Sequence, residues 1–252
     1  IIDRQSHMTL TGKVALVTGT RRLGGAVVQA LAARGVHVAI VAHTSIARAE
    51  VLSAEAQGAG VEPAVFQADL RSGEACRTLV GAVVDRFGRL DIVVHAASIY
   101  TRTPLQAVTP EQWQAPLDVD LSAAFFLTQA AAPAMAAVGG GRVVFFGDWL
   151  AAGGRPRYQG FVPYYVAKAG ANALVKVLES MRADCGWIYI VENQILKLKH
   201  STGTQLKFFP PDTPADTDAN TWIRVPSILR GDDARVQLST TQEFQHESIQ
   251  IV

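Results

Sequence analysis

The chain has 252 residues, close to half of them hydrophobic, and a formal net charge of +1. That length buries one large core, and the near-neutral, apolar composition speaks against intrinsic disorder and against a strongly basic nucleic-acid surface. Two cysteines, Cys76 and Cys185, offer neither a disulfide framework nor metal-ligand spacing, which points to a reducing, cytoplasmic setting and to no metal catalysis.

The first seven residues, IIDRQSH, lack an apolar core flanked by a cleavage site and read as a loose tail or tag, leaving 8–252 as one expected domain. Short β-branched or aromatic runs follow at 13–19, 36–42, 61–69, 90–97 and 141–148, with another at 186–194. The first five are nearly continuous in apolar character, as strands covered on both faces are. Between them the spacing is helical: Val27, Leu31 and Val36, then Ala49, Leu52 and Ala56, then Leu79, Val83 and Phe87. The alternation predicts a doubly wound parallel α/β sheet of Rossmann type with right-handed crossovers. The apolar stretch AAFFLTQAAAPAMAAVGGG is interrupted by Thr128, Gln129 and Pro133, which fits a buried helix better than a membrane span.

Such a sheet binds ligands at the carboxyl ends of its strands. After the first strand comes TGTRRLGGAVVQALAARG, in which Gly19, Gly24 and Gly25 permit a tight turn and close backbone approach, and a helix start aims its amides at a phosphate. This placement between strand and helix predicts dinucleotide binding. The second strand ends not in an acid but in His43, Thr44 and Ser45, and Arg21 and Arg22 sit in the preceding turn. Cations and hydroxyls there suit a 2′-phosphate, so NADP(H) is the expected cofactor; the alternative is that the arginines form a solvated turn.

These residues resemble the short-chain dehydrogenases/reductases. The turn resembles that family's T-G-x-x-x-G-x-G, with Thr18, Gly19 and Gly25 in register and Leu23 at the middle glycine. Asp69 and Leu70 resemble the adenine-contacting segment, and His95, Ala96, Ala97 and Ser98 stand where the family usually has N-N-A-G. Tyr164 and Lys168 match Y-x-x-x-K, and the resemblance runs from about residue 9 to residue 178. It implies a cofactor bound along these residues, including Tyr164 and Lys168, and a homotetramer built through helices containing Ala123 to Ala137 and Tyr165 to Leu178.

Residues four apart on a helix share a face, so Tyr164 and Lys168 aim their polar tips together while Tyr165 is turned aside. A nearby ammonium favours tyrosinate, which makes Tyr164 the expected proton donor. The family's serine position falls on Asp148, sixteen residues before Tyr164, and its asparagine on Asp120. The aspartate in place of serine resembles the pteridine reductases and implies a reducible nitrogen heterocycle; alternatively, Asp148 caps the turn after it. Asp120 is expected to accept from a water or from Lys168 and to oppose tyrosinate formation.

Ser98, Tyr100, Trp149 and Phe161 are candidates for an aromatic slot around a flat substrate, or for ordinary packing. Residues 195–220 read as a long substrate loop, and the customary N-x-x-x-P-G after the sixth strand is missing. The expected function is NADPH-dependent hydride transfer to C=N or C=O of a small molecule, with no nucleic-acid partner and no membrane. A 3-oxoacyl-type ketone reductase and a nucleotide-binding module without turnover are the alternatives.

Overall fold

The computed structural model describes residues 10–148, 159–180 and 187–191. Within them six strands form one parallel sheet: β1 (Val14–Thr18), β2 (His37–Ala42), β3 (Pro63–Gln67), β4 (Ile92–His95), β5 (Arg142–Phe146) and β6 (Trp187–Val191), in the order β3-β2-β1-β4-β5-β6. The order reverses between β1 and β4, which opens a crevice above their carboxyl ends. The doubly wound Rossmann-type architecture expected from the sequence is the one observed.

The helices are α1 (Arg22–Ala32), α2 (Ile46–Gly58), α3 (Gly73–Phe87), α4 (Pro110–Pro116), α5 (Ala123–Ala137) and α6 (Val162–Ser180). Alternate residues of β1 point to opposite faces of the sheet, so Val14 and Leu16 join one core with α3 and α5, while Ala15 and Val17 join another with α1 and α2. Every residue of β1 is buried, which is why its sequence shows no polar alternation. Val36, expected to share a helical face with Val27 and Leu31, instead lies just before β2, because α1 ends at Ala32; it is fully buried there.

The run Pro110–Ala137 is long and apolar enough to cross a membrane by composition alone. In the fold it is broken into α4, a single π-helical turn (Leu117–Ser122) and α5, packs against α3 and α6, and buries Asp120. A capping box between Thr109 and Gln112, with Pro110 in the first turn, fixes where α4 starts. The wide π turn re-aims the chain so that Asp120 faces inward. Asp120 therefore sits at a transition between helix types rather than in the middle of an unbroken helix.

Candidate active site

A cleft of about 390 Å³ lies at the switch point, lined by the turn after β1 (Gly19, Thr20, Arg21), the end of β2 (His43, Thr44, Ser45), the segment after β3 (Asp69, Leu70, Arg71) and the segment after β4 (Ala96, Ala97, Ser98, Ile99). Its floor is tied by hydrogen bonds. Gly19 N donates to Val41 O at 3.0 Å and Ala96 N to Thr18 O at 3.1 Å. A Cβ on Gly19, whose φ is +83°, would meet Ala97 N at 2.9 Å, so only glycine lets the two loops approach this closely.

The glycine turn is one residue shorter than the family pattern suggests. Arg22, not Leu23, carries the left-handed backbone of the middle position, with φ 40°. Gly24, not Gly25, is the close-packed final glycine, since a Cβ there would lie 1.9 Å from Gly19 O. Leu23 packs into the core on the α1 side, and neither it nor Gly25 nor Arg22 lines the cleft. The cap residue of α1, Arg21, makes no side-chain cap, so the helix's first amides are left to an external acceptor.

Charge at the adenine end is organised by a residue the sequence reading passed over. Arg71 donates from Nε to both oxygens of Asp69 at 3.0 Å, and its backbone N–H adds a bond at 3.1 Å. The Arg71 hydrogen bond holds the Asp69 carboxyl down at about 2, against the opposing effect of burial. No acid ends β2, and Arg21, His43 and Arg71 bring cationic or protonatable groups to a cleft whose carboxylate among the described residues, Asp69, is already paired with Arg71. This donor set fits a phosphorylated dinucleotide.

Beneath the floor, a buried imidazole has its tautomer fixed by its partners. His95 Nε2 contacts Val119 O at 2.8 Å, and a carbonyl only accepts, so Nε2 carries the proton. Nδ1 then accepts from Thr18 Oγ1 at 2.8 Å, and that hydroxyl in turn accepts from Ala97 N at 3.2 Å. Burial, with Lys168 nearby, pushes the imidazole down to about 4, so it is neutral. His95 thus ties β1, β4 and the π turn together.

Among the described residues, Asp120, Asp148, Tyr164 and Lys168 form a buried polar cluster beside the cleft. The Tyr164 hydroxyl donates to Asp148 Oδ2 at 3.0 Å across sixteen residues of chain. Lys168 Nζ donates to Phe146 O at 2.8 Å and pairs with Asp120 Oδ1 at 2.9 Å. Asp120 also accepts from the Ser98 hydroxyl and from Ile99 N, the latter at 2.9 Å, which joins Lys168 to the cleft wall. Tyr164 and Lys168 share a face of α6 as the spacing requires, with Nζ 5.7 Å from the ring centroid.

The structure opposes the expectation that Lys168 favours tyrosinate. Burial, then the charge and hydrogen bond of Asp148, then Asp120 and Tyr100, push the Tyr164 phenol well above its ordinary range. The lysine's charge is spent on Asp120 instead. The expected aromatic slot is also rearranged. Tyr100 and Phe161 stack on each other with centroids 4.3 Å apart and an interplanar angle of 17°, leaving no gap between them. Tyr100 meets Tyr164 edge-on at 4.8 Å, so the rings form a wall rather than a slot. Ser98 turns its hydroxyl to Asp120. Trp149 and the 195–220 loop lie outside the described residues, as do residues 1–7.

The family model for short chain dehydrogenases matches residues 13–192. The chain belongs to that family. It is 37% identical over 174 residues to a probable galactose dehydrogenase of Rhizobium meliloti, covering 67% of this chain and 65% of that one. It is 33% identical to a 3-oxoacyl-[acyl-carrier-protein] reductase of Synechocystis, covering 70% of this chain and 71% of the relative. Among solved structures, a short chain dehydrogenase from Burkholderia cenocepacia in complex with NADP superposes with a TM-score of 0.68 at 34% identity, over 73% of this chain and 74% of that one. The chain thus spans about two thirds to three quarters of the relatives it matches. None of these relatives is a pteridine reductase, so they support the family and not that subgroup.

Proposed function

We propose that this chain is an NADPH-dependent reductase that delivers hydride to a C=N or C=O group, with a flat, pteridine-like heterocycle as substrate. The observation that carries this reading is the buried hydrogen bond from Tyr164 to Asp148, with Lys168 one helical turn away, beside a cleft built for a phosphorylated dinucleotide. Gly19, Arg21, His43, Thr44, Ser45 and Asp69 hold the cofactor, and solved relatives carrying NADP support that choice. Reduced nicotinamide supplies the hydride when bound.

The protein's own work is proton and position management. Tyr164, kept as a neutral phenol, holds a proton ready for the substrate heteroatom. Lys168, fixed by Asp120 and Phe146 O, orients the helix face that carries the phenol. Asp148 sets the direction of the hydroxyl. A second reading, a 3-oxoacyl-type ketone reductase, is favoured by relatives of that activity at 33% and 30% identity. Exposed Phe125 on α5 and Val166 and Val177 on α6 support assembly as a homotetramer.

The test is NADPH oxidation, followed by absorbance, against dihydrobiopterin, a 3-oxoacyl thioester and a cyclic ketone. Turnover of dihydrobiopterin with loss of about 10²–10⁴-fold in Tyr164→Phe is the expected result for a group that donates a proton. Turnover of the thioester alone selects the second reading. Full activity in Tyr164→Phe removes the proposed proton donor.

A further inference from the structure

We infer that Arg71 is a cofactor-specificity residue that acts through Asp69: by covering that carboxylate it removes the repulsion a 2′-phosphate would meet, so that NADP(H) rather than NAD(H) fits the cleft. The inference rests on the NADP(H) reading above and names a residue on which that preference depends.

An acid beside the adenosine ribose is the usual means of excluding a 2′-phosphate, since it accepts from the 2′-hydroxyl and repels a second anion. Here β2 ends without one, but a carboxylate faces the same rim from the neighbouring strand. Asp69 follows β3, whose end is tied to that of β2: Ala68 N donates to Ala42 O at 3.1 Å and Gln67 Nε2 to His43 O at 3.0 Å. Asp69 therefore lines the cleft together with His43, Thr44 and Ser45, and its Oδ2 lies 3.8 Å from His43 Nε2. With its carboxyl held at about 2, it carries a full negative charge at neutral pH. Left bare, it would oppose the phosphorylated cofactor that the rest of the rim suits.

Arg71 covers it. Nε donates to both carboxylate oxygens at 3.0 Å, Nη2 donates to Oδ2, and the backbone N–H donates to Oδ1 at 3.1 Å. A guanidinium fork and an amide on one carboxylate occupy much of its accepting capacity and offset its charge at short range. The chain is anchored on both sides of Arg71. Leu70 is buried in the core, and Ser72 caps α3 by accepting from Ala75 N at 3.3 Å. The fork is thus presented from a fixed turn. Asp118 also attracts Arg71, but it accepts from Gln114 and is not among the residues lining the cleft. Both members of the Asp69–Arg71 pair are partly exposed, so salt screens them and the effect on affinity is moderate.

The experiment measures adenosine 2′,5′-bisphosphate and 5′-AMP by titration calorimetry, two probes that differ in the 2′-phosphate and carry no nicotinamide. The full chain is compared with Arg71→Met, Asp69→Asn and the double variant. The wild type is expected to prefer the bisphosphate. In Arg71→Met that preference is expected to fall about tenfold, and the fall to shrink as salt is raised. Asp69→Asn alone is expected to keep the preference or strengthen it. In the double variant it should return to within about threefold of the wild type, because no carboxylate is left to cover.

A direct contact between Arg71 and the phosphate predicts the opposite, a double variant as poor as Arg71→Met, and that result overturns the inference. An unchanged preference in Arg71→Met overturns it too, as does loss of both probes together, the outcome of a merely structural role. Binding of 5′-AMP reports that each variant keeps its cleft. A wild type without preference for the bisphosphate removes the NADP(H) reading itself and the inference with it, so the two failures are told apart.

Discussion

The two ends of the central sheet both bury carboxylates, but they treat them differently. At the amino end, Asp91 accepts from Lys13 Nζ at 2.9 Å, from Arg89 at 2.7 and 2.8 Å and from Val14 N at 3.0 Å. Two cations and a backbone amide surround one acid, which staples β1 to the start of β4. At the carboxyl end, Asp120 pairs with Lys168 and Asp148 accepts from the Tyr164 phenol. The first arrangement is closed and serves architecture. The second gathers two acids, a phenol and a lysine beside the cleft, the kind of titratable cluster an active site uses.

The largest effect that sharpens this contrast concerns His95. The folded imidazole sits at about 4, below its unfolded value, so the unfolded chain takes up a proton that the folded one refuses as the pH drops. Stability is expected to be independent of this group above about pH 6.5, to fall by roughly 2–3 kcal/mol towards pH 4 and to level off below that. Urea midpoints across that range measure it, and His95→Asn should flatten the slope. A smaller loss is expected at the other end. Asp91→Ala should cost about 1–3 kcal/mol, because Lys13 and Arg89 are partly exposed and recover solvent, while NADP⁺ affinity stays unchanged. A change in cofactor affinity there would break the distinction between the two ends.

The smallest effect is at the cleft's rim. Arg21 lines the cleft and Arg22 does not, so Arg21→Ala should weaken NADPH roughly tenfold while NADH changes little. Arg22→Ala should leave the NADPH to NADH ratio near its starting value. Equal loss of both cofactors in Arg21→Ala contradicts a 2′-phosphate contact.

The sheet was legible in the sequence because strands buried on both faces are continuously apolar, and β1 to β5 lie within the runs that pattern marks. Tyr164 and Lys168 were legible because a helix fixes the relation between positions four apart. The turn register was not, since a one-residue shortening leaves the string of residues unchanged and shows only in backbone angles, the left-handed φ of Arg22 and the tight packing of Gly24. Contacts across the fold were hidden for the same reason. Nothing in the spacing of Thr18, His95 and Val119 reveals a hydrogen-bonded chain between them, and nothing near Tyr100 announces that its partner is Phe161. Arg71 escaped notice because an arginine two residues after an acid is usually a solvated surface pair; only the shape of the cleft gives it a place.

The ionisation of Tyr164 tests most directly whether the carboxyl end of the sheet holds a neutral phenol against Asp148. Ultraviolet difference titration of the wild-type chain against Tyr164→Phe isolates that one tyrosine. The structure predicts that Tyr164 ionises well above an ordinary tyrosine, and earlier in Asp148→Asn than in the wild type. Ionisation of Tyr164 below about pH 9 in the protein without a nucleotide would contradict it, because an ordinary or depressed phenol cannot lie buried against Asp148 as described.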